Sequence, residues 1–187
     1  MSNKEESNFR TRRLIFIDLE TTGLDKNKHE ILEIGCLLVD GESFEIIEEF
    51  SAKVKPKHIK TANPEALKIN GYTKEKWKNA KDVKEVLEKV ASISDGAMVA
   101  GWHICFDWEF IEMYFKKLKI ESSFNYHQVD VQSIAYAKLY NTPQVKSMRL
   151  RNVAGYFGFD MSDVHSAGED IKITYKVFKK LMKFMEA

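Results

Sequence analysis

"LIFIDLETTGL", residues 14–24, decides the fold. Its first half, Leu14 to Ile17, is continuously apolar, as in a strand covered on both faces. Its second half carries Asp18 and Glu20 two positions apart. On a strand that spacing sets both side chains on one face, while Leu19 turns to the other, into the core. Carboxylates at the end of a buried strand cost folding free energy unless something partners them. Side by side, each also opposes the other's ionisation unless a cation is present. A divalent ion that prefers hard oxygen ligands would resolve the conflict. Carboxylates capping nearby loop amides are the other reading, and a DxE pair by itself does not choose between them. The carboxyl end of a strand is where ligands usually sit in open α/β sheets.

Working outward, "RRLIFIDLE" (12–20) reads as strand one and "ILEIGCLLVD" (31–40) as strand two. The Asp-Gly at 40–41 signals a hairpin turn into strand three, "SFEIIEEFSAKV" (43–54). Short links make these three an antiparallel meander. Past Pro56 the period lengthens. Asn63 caps a short helix with Pro64 at its first position, and Val83, Val86, Leu87, Val90 and Ile93 recur at helical spacing. "GAMVAGW" (96–102) is a short strand. Helices follow at 106–120, 129–140, 148–158 and 166–185. Three strands, then strands alternating with helices, predict an α/β domain with a mixed central sheet. No GxGxxG follows strand one, which argues against a Rossmann nucleotide fold.

The 187 residues suit one domain. Residues 1–10 are expected to be a disordered tail and residues 11–187 a single domain. No apolar run approaches the roughly 18 residues of a membrane span, so no membrane association is expected. No apolar segment follows the charges of "MSNKEESNFRTRR" as in a secretory signal. Cys36 and Cys105 form no CxxC or Cys/His cluster. Both features fit a reducing cytoplasm. A net charge of +1 means that any nucleic-acid contact must come from a local patch.

Further acids fall where elements begin. Asp107, in "AGWHICFDWEFI", lies just past the strand at 96–102, and parallel pairing of that strand with strand one would bring it beside Asp18 and Glu20. By itself it is an acid suited to a helix N-terminus. Asp170, in "HSAGED", falls in the first turn of the closing helix, with His165 five residues earlier in the loop before it. A His beside a fixed Asp suits a general base near neutrality; an isolated loop His is otherwise simply solvated.

"FIDLETTGL", "WHICFD" and "HSAGED" together resemble, in order, spacing and structural context, the three exonuclease motifs of the DnaQ-like (DEDDh) 3′–5′ exonuclease family. The likeness runs from about Leu14 to Met182, and "LRNVAGYFGF" (150–159) resembles the family's helix before the third motif. The resemblance implies a ribonuclease H-like fold, a five-stranded mixed central sheet flanked by helices, with "SFNYHQV" (123–129) as the fifth strand. It implies that Asp18, Glu20, Asp107 and Asp170 bind two divalent ions, Mg2+ or Mn2+, and that His165 is the general base. The family's tyrosine subclass would carry its tyrosine where this chain has Ser166. The implied chemistry is hydrolysis of the 3′-terminal phosphodiester between two metals. Four carboxylates facing two divalent cations are formally neutral, which accounts for so many acids in one place.

By the same match, the loop of Thr21, Thr22 and Gly23 seats the terminal nucleotide with its backbone amides, and Leu24 packs on the terminal base. Gly23 is otherwise a plain turn glycine. Phe106 is either a core residue or a stacking platform for single-stranded substrate. Lys146, with Arg149 and Arg151, would reach the phosphate backbone, or lie on a solvated face. Trp102-His103 departs from the His-Asn common in the family; Trp102 is assigned to core packing and His103 to no catalytic role. Asp130 is assigned to a helix cap.

All five motif residues are present, which favours an enzyme over a nuclease-dead scaffold. The expected substrate is a single-stranded or frayed nucleic-acid 3′ end. DNA is favoured, as in proofreading or repair, and RNA ends or short oligoribonucleotides are the alternative, because relatives of both kinds share these residues. The chain ends soon after the third motif, suggesting a stand-alone enzyme, with a polymerase, a repair protein or a second copy as open partners.

Overall fold

In the computed structural model, which describes residues 8–160 and 166–183, the opening stretch becomes strand β1, Leu14–Thr21. β2 (Ile31–Val39) pairs antiparallel with it, and β3 (Ile46–Lys53) pairs antiparallel with β2. On its other side β1 takes β4 (Met98–Gly101) in parallel, and β5 (Asn125–Asp130) lies parallel beyond that. The order β3-β2-β1-β4-β5 is the expected five-stranded mixed sheet. β1 sits at its centre because its apolar run can be covered on both faces.

Six helices are described: α1 (Pro64–Ile69), α2 (Val83–Ile93), α3 (Ile104–Leu118), α4 (Val131–Leu139), α5 (Leu150–Tyr156) and α6 (Ala167–Lys183). α2 and α3 cover one face of the sheet and α4, α5 and α6 the other. Ile15, Ile17 and Leu19 of β1 enter the core formed with α2 and α3. Leu14 and Phe16 enter the opposite core, formed with α4, α5 and α6. Phe16 meets the rings of Tyr175 and Phe178 edge-on at centroid distances of 5.7 and 5.2 Å. The alternation along β1 is thus strict through Phe16, and its continuation assigns Asp18 and Glu20 to the α6 face.

The caps follow the sequence. Asn63 accepts the amides of Glu65 and Ala66 with Pro64 at the first position of α1, and Asp82 accepts the Lys84 amide at α2. Several boundaries shift by one to three residues from expectation, three of them for a visible reason. β3 begins at Ile46, because the Asp40 carboxylate takes the Glu42 and Ser43 amides and Phe44 adopts φ 55°. The connection over 40–45 is therefore longer than a two-residue Asp-Gly turn. α3 begins at Ile104, one half-turn earlier than 106, because the chain reverses at His103 in the left-handed region. The segment at 129–130 ends β5, and α4 starts at Val131. Of the expected tail, residues 8–10 enter a 3-10 turn over Phe9–Thr11 in which Asn8 Oδ1 accepts the Arg10 amide; residues 1–7 lie outside the described residues. Among those described, no helix is long and apolar enough to cross a membrane.

Candidate functional site

Asp18 and Glu20 end the α6 face of β1, and Asp170 comes to meet them from the first turn of α6. One carboxylate oxygen from each of the three lies within 4.8 Å of the others. Asp107 arrives from the other side, in the first turn of α3. β4 stops at Gly101, so the last part of β1 has no parallel neighbour. Asp107 fills that gap: its Oδ1 accepts the Leu19 N–H at 2.9 Å, and the side chain is buried. Asp107 is thus a flanking acid, outside the tight group of three. Parallel pairing of β4 with β1 does bring it beside the pair, as expected.

The cluster carries the electrostatic signature of crowded acids. Burial pushes the Asp18 carboxyl well above the usual range, and the charges of Asp107, Asp170, Glu20 and Glu33 push it further. Burial raises Glu20 to about 7, with Asp170 and Glu33 adding to it. Asp107 rises to about 8, again chiefly through burial, although the Leu19 amide acts in the opposite direction. Such a group gains protons unless a cation neutralises it. Its donors are all carboxylate oxygens, the set that hard divalent cations such as Mg2+ and Mn2+ take.

The loop after β1 is held by its own side chains. Thr21 Oγ1 donates to the Gly23 carbonyl at 2.8 Å. Thr22 Oγ1 accepts the Glu30 amide at 2.8 Å. Both threonines are buried, so their hydroxyls are engaged inside the loop, while Leu24 stands 83% exposed at its tip. Gly23, at φ 153°, is required by close approach: a Cβ there would lie 2.6 Å from the His29 ring. Asn70, just past α1, donates from Nδ2 to the Thr21 carbonyl at 2.9 Å. Sequence reasoning missed Asn70, because nothing local marks a helix-end Asn as the partner of a distant loop.

Phe106 is partly buried, 5.2 Å from the Phe110 ring, and packs on the α2/α3 core. Trp102 is half-buried on the opposite core, and its Nε1 donates to the Met148 carbonyl at 3.2 Å. Gln132 Nε2 donates to the same carbonyl at 3.0 Å, so this loop, which carries exposed Lys146, is anchored beside the end of β4. His103 is exposed at φ 58°, held by its amide to Asp130 Oδ1 at 2.9 Å. Asp130 also takes the Ser133 amide, as the expected cap of α4. His165 lies outside the described residues. Sequence reasoning also missed Glu33, which is buried on β2 directly opposite Glu20. The signal was present: an acid alone in the apolar run "ILEIG" poses the same question as Asp18.

The exonuclease family model RNase_T matches residues 15–178. Among curated proteins, DNA polymerase III PolC-type of Thermotoga maritima is 25% identical over 182 residues, 97% of this chain and 13% of that protein. DNA polymerase III subunit epsilon of Aquifex aeolicus is 29% identical over 185 residues, 97% of this chain and 86% of the subunit. The chain therefore spans only a small part of the PolC-type relatives. Among solved structures, E. coli exonuclease I in complex with a dT13 oligonucleotide superposes with a TM-score of 0.79 at 18% identity, over 94% of this chain and 42% of that one. The nuclease domain of 3′hExo bound to rAMP superposes with a TM-score of 0.72 at 18% identity, over 95% and 94%. At these identities the superpositions establish the ribonuclease H-like fold.

Proposed function

The chain belongs to the RNase_T exonuclease family, and from that premise we propose that it removes nucleotides from nucleic-acid 3′ ends by metal-dependent hydrolysis of the terminal phosphodiester. The observation that carries this reading is the meeting of Asp18, Glu20 and Asp170 within 4.8 Å at the end of a central strand. With Asp107 alongside, these acids would hold two divalent ions, Mg2+ or Mn2+. Bound there, such ions supply water activation and stabilisation of the leaving oxygen. The chain's own groups do the rest. His165 takes the proton of the attacking water. The backbone of Thr21, Thr22 and Gly23 seats the terminal nucleotide. Exposed Leu24 packs on its base, and Lys146 meets the backbone upstream; Phe106, packed on the α2/α3 core beside Phe110, is left to the core reading rather than to stacking on substrate. Residues 11–187 act as one exonuclease domain, in a cytoplasmic setting that suits the free thiols of Cys36 and Cys105.

DNA is the favoured substrate, because the relatives above carry DNA polymerase III names and a neighbour holds a dT13 oligonucleotide. The same relatives motivate a polymerase as partner. RNA is the second reading, motivated by fold neighbours that include a 3′-exonuclease recognising a histone mRNA stem-loop. Matched DNA and RNA oligomers digested side by side with Mn2+ decide between them. Faster shortening of DNA is expected, and faster shortening of RNA would reverse the assignment. Asp18→Ala should abolish both and weaken Mn2+ binding in calorimetry.

A further inference from the structure

Glu33 is a buried acid for which the four-acid scheme has no use. It sits on β2 in register with Glu20, and Gly35, two residues on, is in register with Asp18. Directly opposed residues of an antiparallel pair share a face. Glu33 and Gly35 therefore lie on the same face as the catalytic pair, under the start of α6. There the backbone N–H groups of Gly168 and Ala167 lie close enough to the Glu33 carboxylate to favour its charged form. Ser166 accounts for the next two amides of the helix, its carbonyl accepting those of Glu169 and Asp170 at 3.0 Å each. Ser166 Oγ also accepts the Glu169 amide at 3.4 Å, so among the described residues the side chain from another strand faces the first two amides of the helix, at the positive end of its dipole. Close contact fixes the rest. A Cβ on Gly35 would lie 2.2 Å from the Ala167 carbonyl oxygen, and one on Gly168 would lie 3.3 Å from Ser51 Cβ. Asp170 follows within the same turn.

We propose that Glu33 is a positioning residue of the active site, one that sets where Asp170 stands over Asp18 and Glu20 by taking the first amides of α6. The inference rests on the proposed function only for its catalytic readout. It makes reach, not charge, the property that matters. Glu33→Gln keeps the length and an acceptor oxygen without the charge, whereas Glu33→Asp keeps the charge and falls one methylene short.

The test combines kinetics with amide exchange at Ala167 and Gly168, followed by NMR in the metal-free protein. Glu33→Asp is expected to speed exchange at these two amides and to lower kcat about ten- to a hundredfold, the cost of misplacing a catalytic group by about 1 Å, with KM for the oligonucleotide little changed. Glu33→Gln is expected to keep both amides protected and kcat within a few-fold of wild type. Loss in both variants, in Glu33→Gln only, or in neither overturns the proposal. If the wild-type protein cleaves nothing, the proposed function fails, and the exchange pattern still decides the role of Glu33.

Discussion

At the scale of single residues, the assignment of roles rests on which groups the fold leaves with work to do. Thr21 and Thr22 turn their hydroxyls into the loop, so only their backbone is offered to a ligand, whereas Leu24 is held out in solvent. This division was not legible in "TTGL", because it depends on Glu30 and His29 arriving from the far end of the loop. Asp18 and Glu20 were legible because they are anomalies at the end of an apolar strand, whereas Asp107 and Asp170, ordinary acids for helix starts, were legible only through the order of the motifs. For His165, mutation to Ala is expected to lower turnover roughly 10²–10⁴-fold while Mn2+ binding measured by calorimetry persists; unchanged turnover would remove it from the mechanism. Away from the site, Thr174 Oγ1 is buried on α6 with no hydrogen-bond partner among the described residues. Thr174→Val keeps the shape and removes the stranded hydroxyl, which is expected to stabilise by about 1 kcal/mol. For a domain of this size that is roughly 2–4 °C in Tm; a fall in Tm on thermal melting would show that the hydroxyl has a partner after all.

At the scale of elements, the site is a matter of where strands stop and helices start. β4 ends at Gly101, which frees the Leu19 amide for Asp107 and turns the chain into α3. The closing helix and the place of Asp170 in its first turn followed from spacing. The packing of that helix start did not, since "ILEIG" does not name the helix whose Ala167 backbone lies against Gly35. Long-range contacts of this kind leave no periodic trace. The contact at Gly35 is severe because its neighbour is backbone. Gly35→Ala is therefore expected to lift the start of α6, costing about 1–3 kcal/mol in denaturant unfolding and weakening Mn2+ binding. A variant with unchanged Mn2+ affinity would show that the helix start is not set by this contact.

At the scale of the whole molecule, the antiparallel meander and the mixed sheet were readable from period and element order, whereas the fifth strand was reached only through the family resemblance. The cost of the site is also a property of the whole fold, and pH exposes it. Glu20, raised from 4.5 to about 7, and Asp107, raised from 3.8 to about 8, bind protons more tightly folded than unfolded. Their contribution to stability is complete below the unfolded values and is lost as pH rises through the folded ones. The metal-free protein in EDTA is therefore expected to lose Tm between about pH 5 and 8. Saturating Mn2+ replaces the protons and should flatten that slope. An EDTA profile that rises over this range would mean that the acids are already neutralised by the protein.

The central claim is that the acids at the end of β1 serve cleavage at a nucleic-acid 3′ end, and a 5′-labelled single-stranded oligonucleotide incubated with the purified protein and Mn2+ tests it most directly. The expected result is a ladder that shortens one nucleotide at a time from the 3′ end and is lost with EDTA or in Asp18→Ala. A substrate left intact, as DNA and as RNA, or cut first at internal positions, would contradict the account.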